Sequence, residues 1–214
     1  MTRLARTERA ALCDLALQVG EDQPTLCGDW DVKDLVVHLL LREGSPAAVG
    51  IAVPPLAGVL ERASERLRRR PLAELVERLR NGPPRLSPYA LPGVDELVSS
   101  LELLVHHEDI RRAQPDWAPR ALSEQTERQV WRALGTAGRL AARKAPVGVV
   151  AESTGAGAAH GATTVLRKGD PQVVVAGRPS EILLYVFGRT DQARVELRGD
   201  DDAVARLGRA SLGL

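Results

Sequence analysis

Three residues in the N-terminal half carry side chains able to do chemistry at a spacing that could unite them: His38, Glu102 and His106. Glu102 and His106 are four apart, about 400° of rotation on an α-helix, so both emerge from one face. Their neighbours there, Val98, Leu101 and Val105, are apolar, and His38 sits in the uninterrupted run Leu35-Val-Val-His38-Leu-Leu-Leu41. A carboxylate on such a face is costly to desolvate unless it is paired or bound to a cation. Two imidazoles and one carboxylate meeting inside a helical bundle supply three protein ligands to a divalent ion and leave a position for water or substrate. These ligand types suit Zn²⁺ and, less selectively, Ni²⁺, Fe²⁺ or Mn²⁺. A plainer reading stays open, in which His38 is a hydrogen-bonded core histidine and Glu102 simply bonds His106 along the helix.

Other reactive residues lie close by. His107-Glu108 does not make a zincin motif, because position 111 is Arg. His107 faces away from the Glu102/His106 side and reads as a surface or packing residue. Asp109, three beyond His106, is placed either to orient that ring from behind or to pair with Arg112 or another arginine. Cys27 precedes a helix start, where the dipole favours a thiolate, although free cysteines are more often small buried packing residues. Gly155-Ala-Gly157-Ala-Ala-His160-Gly161 lacks the third glycine of a dinucleotide loop and is followed by a strand-like run, so it reads as a hairpin loop with His160 in solvent.

The elements that must position these groups fall into two kinds. Residues 3–19 place Leu4, Ala11, Leu12, Leu15 and Val19 on one helical stripe that stops at Gly20. Asp31 reads as the N-cap of a second helix, with Asp34 in its first turn and with Trp30 and Leu35 placed for a hydrophobic staple. Being apolar all round, that helix belongs at the centre of a bundle. Residues 56–80 read as one or two amphipathic helices with Pro71 at a start or kink, ended by Asn81-Gly-Pro-Pro. A helix from about Val94 to Ala113 turns Leu97, Val98, Leu101, Leu104 and Val105 inward, and another runs over 124–144 behind a Ser123 cap. From Val147 the pattern changes to short β-branched runs at 147–150, 163–166, 172–175 and 194–197, with helices over 179–188 and 201–212 between them. The expected fold class is α+β, with a helical domain over 1–145 and a small α+β domain over 146–214.

Composition narrows the function classes. Of 214 residues, 44% are hydrophobic and 27% charged, a globular profile, and the net charge of +1 gives no field favouring nucleic acid or anionic membrane. The basic residues are 26 Arg against 3 Lys, a bias attributed to coding composition. Aromatics at 3% leave no stacking platform for single-stranded bases. Between 61 and 80, seven Arg interleave with four Glu at helical spacing, which favours a solvated face over a nucleic-acid stripe. Two cysteines exclude a disulfide framework, no apolar run is long enough to span a bilayer, and Glu8 and Asp14 interrupt any signal-like segment. A cytoplasmic location is the expectation.

Two segments carry a resemblance. Cys27-Gly-Asp-Trp30-Asp-Val-Lys-Asp-Leu-Val-Val-His38-Leu resembles the Trp…His segment of the DinB-like superfamily, specifically its mycothiol-dependent maleylpyruvate isomerase family. Glu102-Leu-Leu-Val-His106-His-Glu-Asp109-Ile-Arg-Arg resembles that family's ExxxHxxD motif. Cys27–Leu39, Asn81-Gly-Pro-Pro, the run 105–120 and the run 143–150 are similar to an actinobacterial-type subfamily described only as metal-binding, and 172–189 with 195–202 resemble its sterol-carrier-like module. The resemblance implies a four-helix bundle in which His38, Glu102 and His106 hold a divalent ion, typically zinc. It also implies an open metal position where a small thiol, mycothiol, is activated for addition, transfer or isomerisation on a small electrophile. A C-terminal arginine assists at the substrate in the isomerase, and Arg189 in Phe-Gly-Arg is the nearest match. Two rival functions stay in view: a non-catalytic metal-binding stress, sensor or carrier module, and a ligand-binding role for the C-terminal domain with no metal bound.

Overall fold

The computed structural model describes residues 3–44, 57–84 and 96–213. The chain divides into two compact units, Met1–Ala118 and Pro119–Leu214. The first is helical and the second holds a four-stranded sheet, so the protein is α+β. Among the described residues, no helix is long and apolar enough to cross a membrane.

The first unit contains α1 (Arg3–Val19), α2 (Val32–Gly44), α3 (Ala57–Arg68), α4 (Leu72–Arg80) and α5 (Glu96–Arg112). Helix α1 packs on α5 and α4, and α2 packs on α3 and α4. Leu12, Leu35, Leu39, Leu75, Leu79, Leu103 and Ile110 are fully buried at the centre. The α1 stripe differs from the expected one. Leu4 and Leu12 are buried, but Ala5, Cys13 and Ala16 complete the face while Ala11, Leu15 and Val19 stay partly exposed. The helix is rotated because it meets two neighbours, and this rotation takes Glu8 and Arg9 into the interior. Both are paired there: Arg9 grips Glu43 through two 2.6 Å bonds and also donates to the Leu79 carbonyl, and Glu8 meets His107 Nδ1 at 2.8 Å. Such pairs offset their desolvation only through near-ideal geometry, which the two-pronged Arg9–Glu43 contact supplies.

Local chemistry sets the helix ends. Asp31 Oδ1 accepts from the Asp34 N–H at 2.7 Å and caps α2 as expected. Pro71 sits at the N-cap of α4, with its extended ψ of 142° separating that helix from α3. Leu101, Leu104 and Val105 of α5 are buried, whereas the side chains of Leu97 and Val98, and Val94 itself, lie outside the described residues.

In the second unit, α6 (Glu124–Ala133) starts behind the Ser123 cap, whose side chain accepts from the Thr126 N–H. The helical run continues through a π turn over Leu134–Gly138 and ends in a 3-10 turn at Ala142–Lys144. The strands are β1 (Gly148–Ser153), β2 (Thr163–Arg167), β3 (Gln172–Gly177) and β4 (Val195–Arg198), in sheet order β2-β1-β3-β4. β1 runs parallel to β3, with Val150 opposite Val174, and the outer pairs are antiparallel. Helix α7 (Pro179–Val186) follows β3 and is buried along its whole length, and α8 (Asp201–Gly208) is capped by Asp200. Glu127 of α6 is fully buried and accepts from Arg178, the Ser180 N–H and the Ser180 hydroxyl. This network ties α6 to the start of α7, so the compact unit begins well before the change of composition near 145. The 155–161 segment joins β1 to β2 as a hairpin loop, and His160 on it is exposed. Gly157 there has φ +72° and lies so close to the Glu127 backbone that a Cβ would come within 2.3 Å of it. Its glycine serves loop packing and backbone handedness.

Candidate metal centre

The site begins with a short loop that laces α5 to α2. Pro24 and Asp31 form an isolated antiparallel bridge, the Thr25 hydroxyl donates to the Trp30 carbonyl at 2.8 Å, and Gly28 takes the left-handed conformation at φ +63°. The Leu26 N–H donates to the Asp109 carbonyl on α5 at 3.1 Å, and Gln114 Nε2 reaches the Pro24 carbonyl. The loop therefore fixes where α2 starts relative to α5, and with it the direction in which His38 projects, two turns into α2.

On that scaffold His38, Glu102 and His106 converge. His38 Nε2 lies 3.8 Å and His106 Nε2 3.9 Å from the same oxygen, Glu102 Oε1. The three candidate ligand atoms all lie within 4.8 Å of one another. Both nitrogens are beyond hydrogen-bond reach of the carboxylate. Ligands about 2.0–2.1 Å from a tetrahedral zinc are separated by roughly 3.3 Å, so the two nitrogen–oxygen separations would have to shorten by about half an ångström to close around one ion. The rings stand edge to face, with centroids 5.5 Å apart, and the indole of Trp30 tilts against His38 at 5.0 Å. Trp30 therefore acts as a wall for the His38 ring. The His38 and Glu102 side chains remain 25% and 16% exposed, so the cluster opens on one side.

The protonation states favour cation binding. Burial first, then the neighbouring His106 and Arg42 charges, push His38 down from 6.5 to about 4, leaving its ring neutral at pH 7. Asp109, with no exposed side-chain surface, meets His106 Nδ1 at 2.9 Å. A carboxylate only accepts, so Nδ1 carries a proton in this contact and Nε2 is the ring atom turned toward Glu102. The Cys27 thiol also donates to Asp109 Oδ2 at 3.1 Å and lies 3.7 Å from His106 Nδ1. Cys27, His106 and Asp109 thus form a second group with ligand-type atoms, which backs the first.

Of the residues singled out from sequence, His38, Glu102 and His106 come together with Asp109 and Cys27 behind them. Asp109 lies where it can orient His106, and Glu108 holds Arg112 at 2.6 Å and Arg111 at 3.2 Å. His107 does point away from the cluster, as expected, and is buried against Glu8 as a packing residue. Arg189 belongs to the second unit, where its Nη1 donates to the Phe187 carbonyl at 2.5 Å just past α7. One residue escaped the sequence reading: Arg42, one turn after His38, forms an ion pair with Glu102 Oε2. The signal available for it was its four-residue offset from His38, the same spacing that links Glu102 to His106.

Fold and site together define a helical unit carrying a two-histidine, one-carboxylate candidate centre for a divalent cation. Residues 2–90 match the family model of the mycothiol maleylpyruvate isomerase N-terminal domain. The match spans α1 to α4 and includes Cys27, Trp30, His38 and Arg42, but ends before Glu102 and His106. Comparison with the curated proteins and with solved structures gives no match.

Proposed function

We propose that the protein is a divalent-metal enzyme of the mycothiol-using class, acting on a small electrophile by thiol addition, transfer or isomerisation. The observation that carries this reading is the convergence of His38 and His106 on one oxygen of Glu102, with His38 inside the matched family domain. His38, Glu102 and His106 would hold the ion, with zinc the best fit to two nitrogens and one oxygen. A divalent ion there supplies Lewis acidity, which lowers the pKa of a thiol at its open position into the neutral range. The chain's own residues do the rest. Asp109 keeps the His106 proton on Nδ1, Trp30 braces the His38 ring, and the exposed edge of His38 and Glu102 leaves the approach for substrate. Arg189 is the arginine assigned to the electrophile, as in the resembling isomerase. The same reading takes α1, α2, α5 and the α3–α4 pair as the family's four-helix bundle, the second unit as a sterol-carrier-like module, and the cytoplasm as the place of action.

Cobalt substitution tests this proposal. Adding mycothiol to the cobalt-loaded protein is expected to bring up a sulfur-to-metal charge-transfer band and shift the visible spectrum in a saturable way. An unchanged spectrum, with cobalt firmly bound, supports the non-catalytic metal-binding module instead.

A further inference from the structure

We infer that Arg42 is the anion-binding residue of this centre, guarding Glu102 while no cation is present and taking up a carboxylate of the incoming small molecule once a cation is bound. The inference rests on the metal-site reading above. Arg42 and His38 are one helical turn apart on α2, so their side chains leave the same face. The Arg42 guanidinium pairs with Glu102 Oε2 while the two histidine nitrogens aim at the other oxygen, Oε1. One carboxylate therefore serves two cationic demands. A divalent ion at Oε1 withdraws electron density from the carboxylate and places a second positive centre beside the guanidinium. Like charges so close repel, which weakens the Arg42–Glu102 pair. The Arg42 side chain is 20% exposed, close to the exposure of His38 and Glu102.

A guanidinium at the rim of a cationic centre is suited to a planar anion, because its N–H fork matches both carboxylate oxygens at once. The electrophile accepted here is therefore an anionic one, a carboxylic acid presenting its carboxylate to Arg42 and its reacting carbon toward the metal's open position. Arg42 acts by positioning and selecting the ligand, with no proton transfer assigned to it.

The test uses the full-length cobalt-loaded protein and two probe thiols of equal length, 3-mercaptopropionate and 3-mercapto-1-propanol. Wild type is expected to bind the carboxylate thiol at least about tenfold more tightly, as read from the sulfur-to-cobalt band. Arg42→Gln is expected to abolish that preference while binding cobalt itself roughly two- to fivefold more tightly, since a competitor for Glu102 is gone. Arg42→Lys, which keeps the charge but loses the fork, is expected to retain part of the preference. Circular dichroism of each variant checks that the fold is kept, and Arg42→Lys carries the test if Arg42→Gln does not fold. Equal affinities for the two thiols in wild type, or a preference that survives Arg42→Gln, overturns the role of Arg42 and leaves the metal centre standing. Failure of wild type to bind cobalt at all overturns the metal centre, and the role of Arg42 with it.

Discussion

Asp109→Asn probes the contribution of one buried carboxylate to the candidate metal centre. In the native protein the Asp109 carboxylate, wholly buried, holds His106 Nδ1 at 2.9 Å and accepts the Cys27 thiol at 3.1 Å. Both donors reach the same oxygen, Oδ2, so asparagine keeps the shape but removes the charge: its amide either accepts both bonds more weakly through the carbonyl or turns its NH₂ toward both donors. The ring is then less firmly held and less basic at Nε2, the atom turned toward Glu102. Loss of such an outer partner costs about 10- to 100-fold in metal affinity, equivalent to about 1.4–2.7 kcal/mol. The complete burial of Asp109 puts the expectation in the upper half of that range, because no water replaces the lost bond. The assay is a zinc titration of the apo protein against a chromophoric competitor at pH 7.5, with thermal unfolding of the apo forms run alongside. A zinc affinity within twofold of wild type refutes the orienting role of Asp109. A drop in apo stability with unchanged zinc affinity does the same, since it makes the bond purely structural.

Three further outcomes follow from the geometry. His38 is pushed down to about 4, so between pH 6.5 and 4 the unfolded chain binds the extra proton and the apo protein loses stability as pH falls, by no more than about 3 kcal/mol. Urea unfolding at pH 7 and pH 4.5 should show that loss diminished in His38→Gln, and identical losses in both proteins contradict it. Breaking the buried Glu8–His107 contact from one side, as in Glu8→Leu, is expected to cost about 1–3 kcal/mol, with part regained when His107→Leu is added. Chemical denaturation of the two single variants and the double variant measures this coupling, and strict additivity would count against the pair. Burial pushes the Cys13 thiol up to about 11, so at pH 8 it should react with a disulfide reagent only after denaturation. Cys27→Ser then leaves no thiol reactive in the native state, and a fast-reacting residual thiol argues against the buried placement of Cys13.

Much of this architecture was legible from pattern alone. The switch from helical to alternating periodicity near 147 located β1, and Asp31, Ser123 and the Asn81-Gly-Pro-Pro stop marked helix ends because capping and chain-breaking are local. Glu102 and His106 could be paired because four residues is one turn of a single helix. Their meeting with His38 could be suspected only from burial, since nothing local says which faces of α2 and α5 will oppose one another. The same limit hid Arg42: its partner lies sixty residues away, and the α2 pattern shows only a basic residue in the last turn. Glu8 and Arg9 interrupt a stripe that looks solvated there, and only the double packing of α1 on α4 and α5 turns them inward. The grouping of α6 with the sheet likewise depends on Glu127 meeting Ser180, a contact between distant segments.

Metal stoichiometry after dialysis against zinc, followed by exhaustive removal of free ion, tests the His38–Glu102–His106 centre most directly. The prediction is one zinc per wild-type chain and close to none in His106→Ala or in the shape-preserving Glu102→Gln, with circular dichroism unchanged. A wild-type chain that leaves dialysis without zinc, or variants that keep a full equivalent, would show that these side chains do not hold an ion.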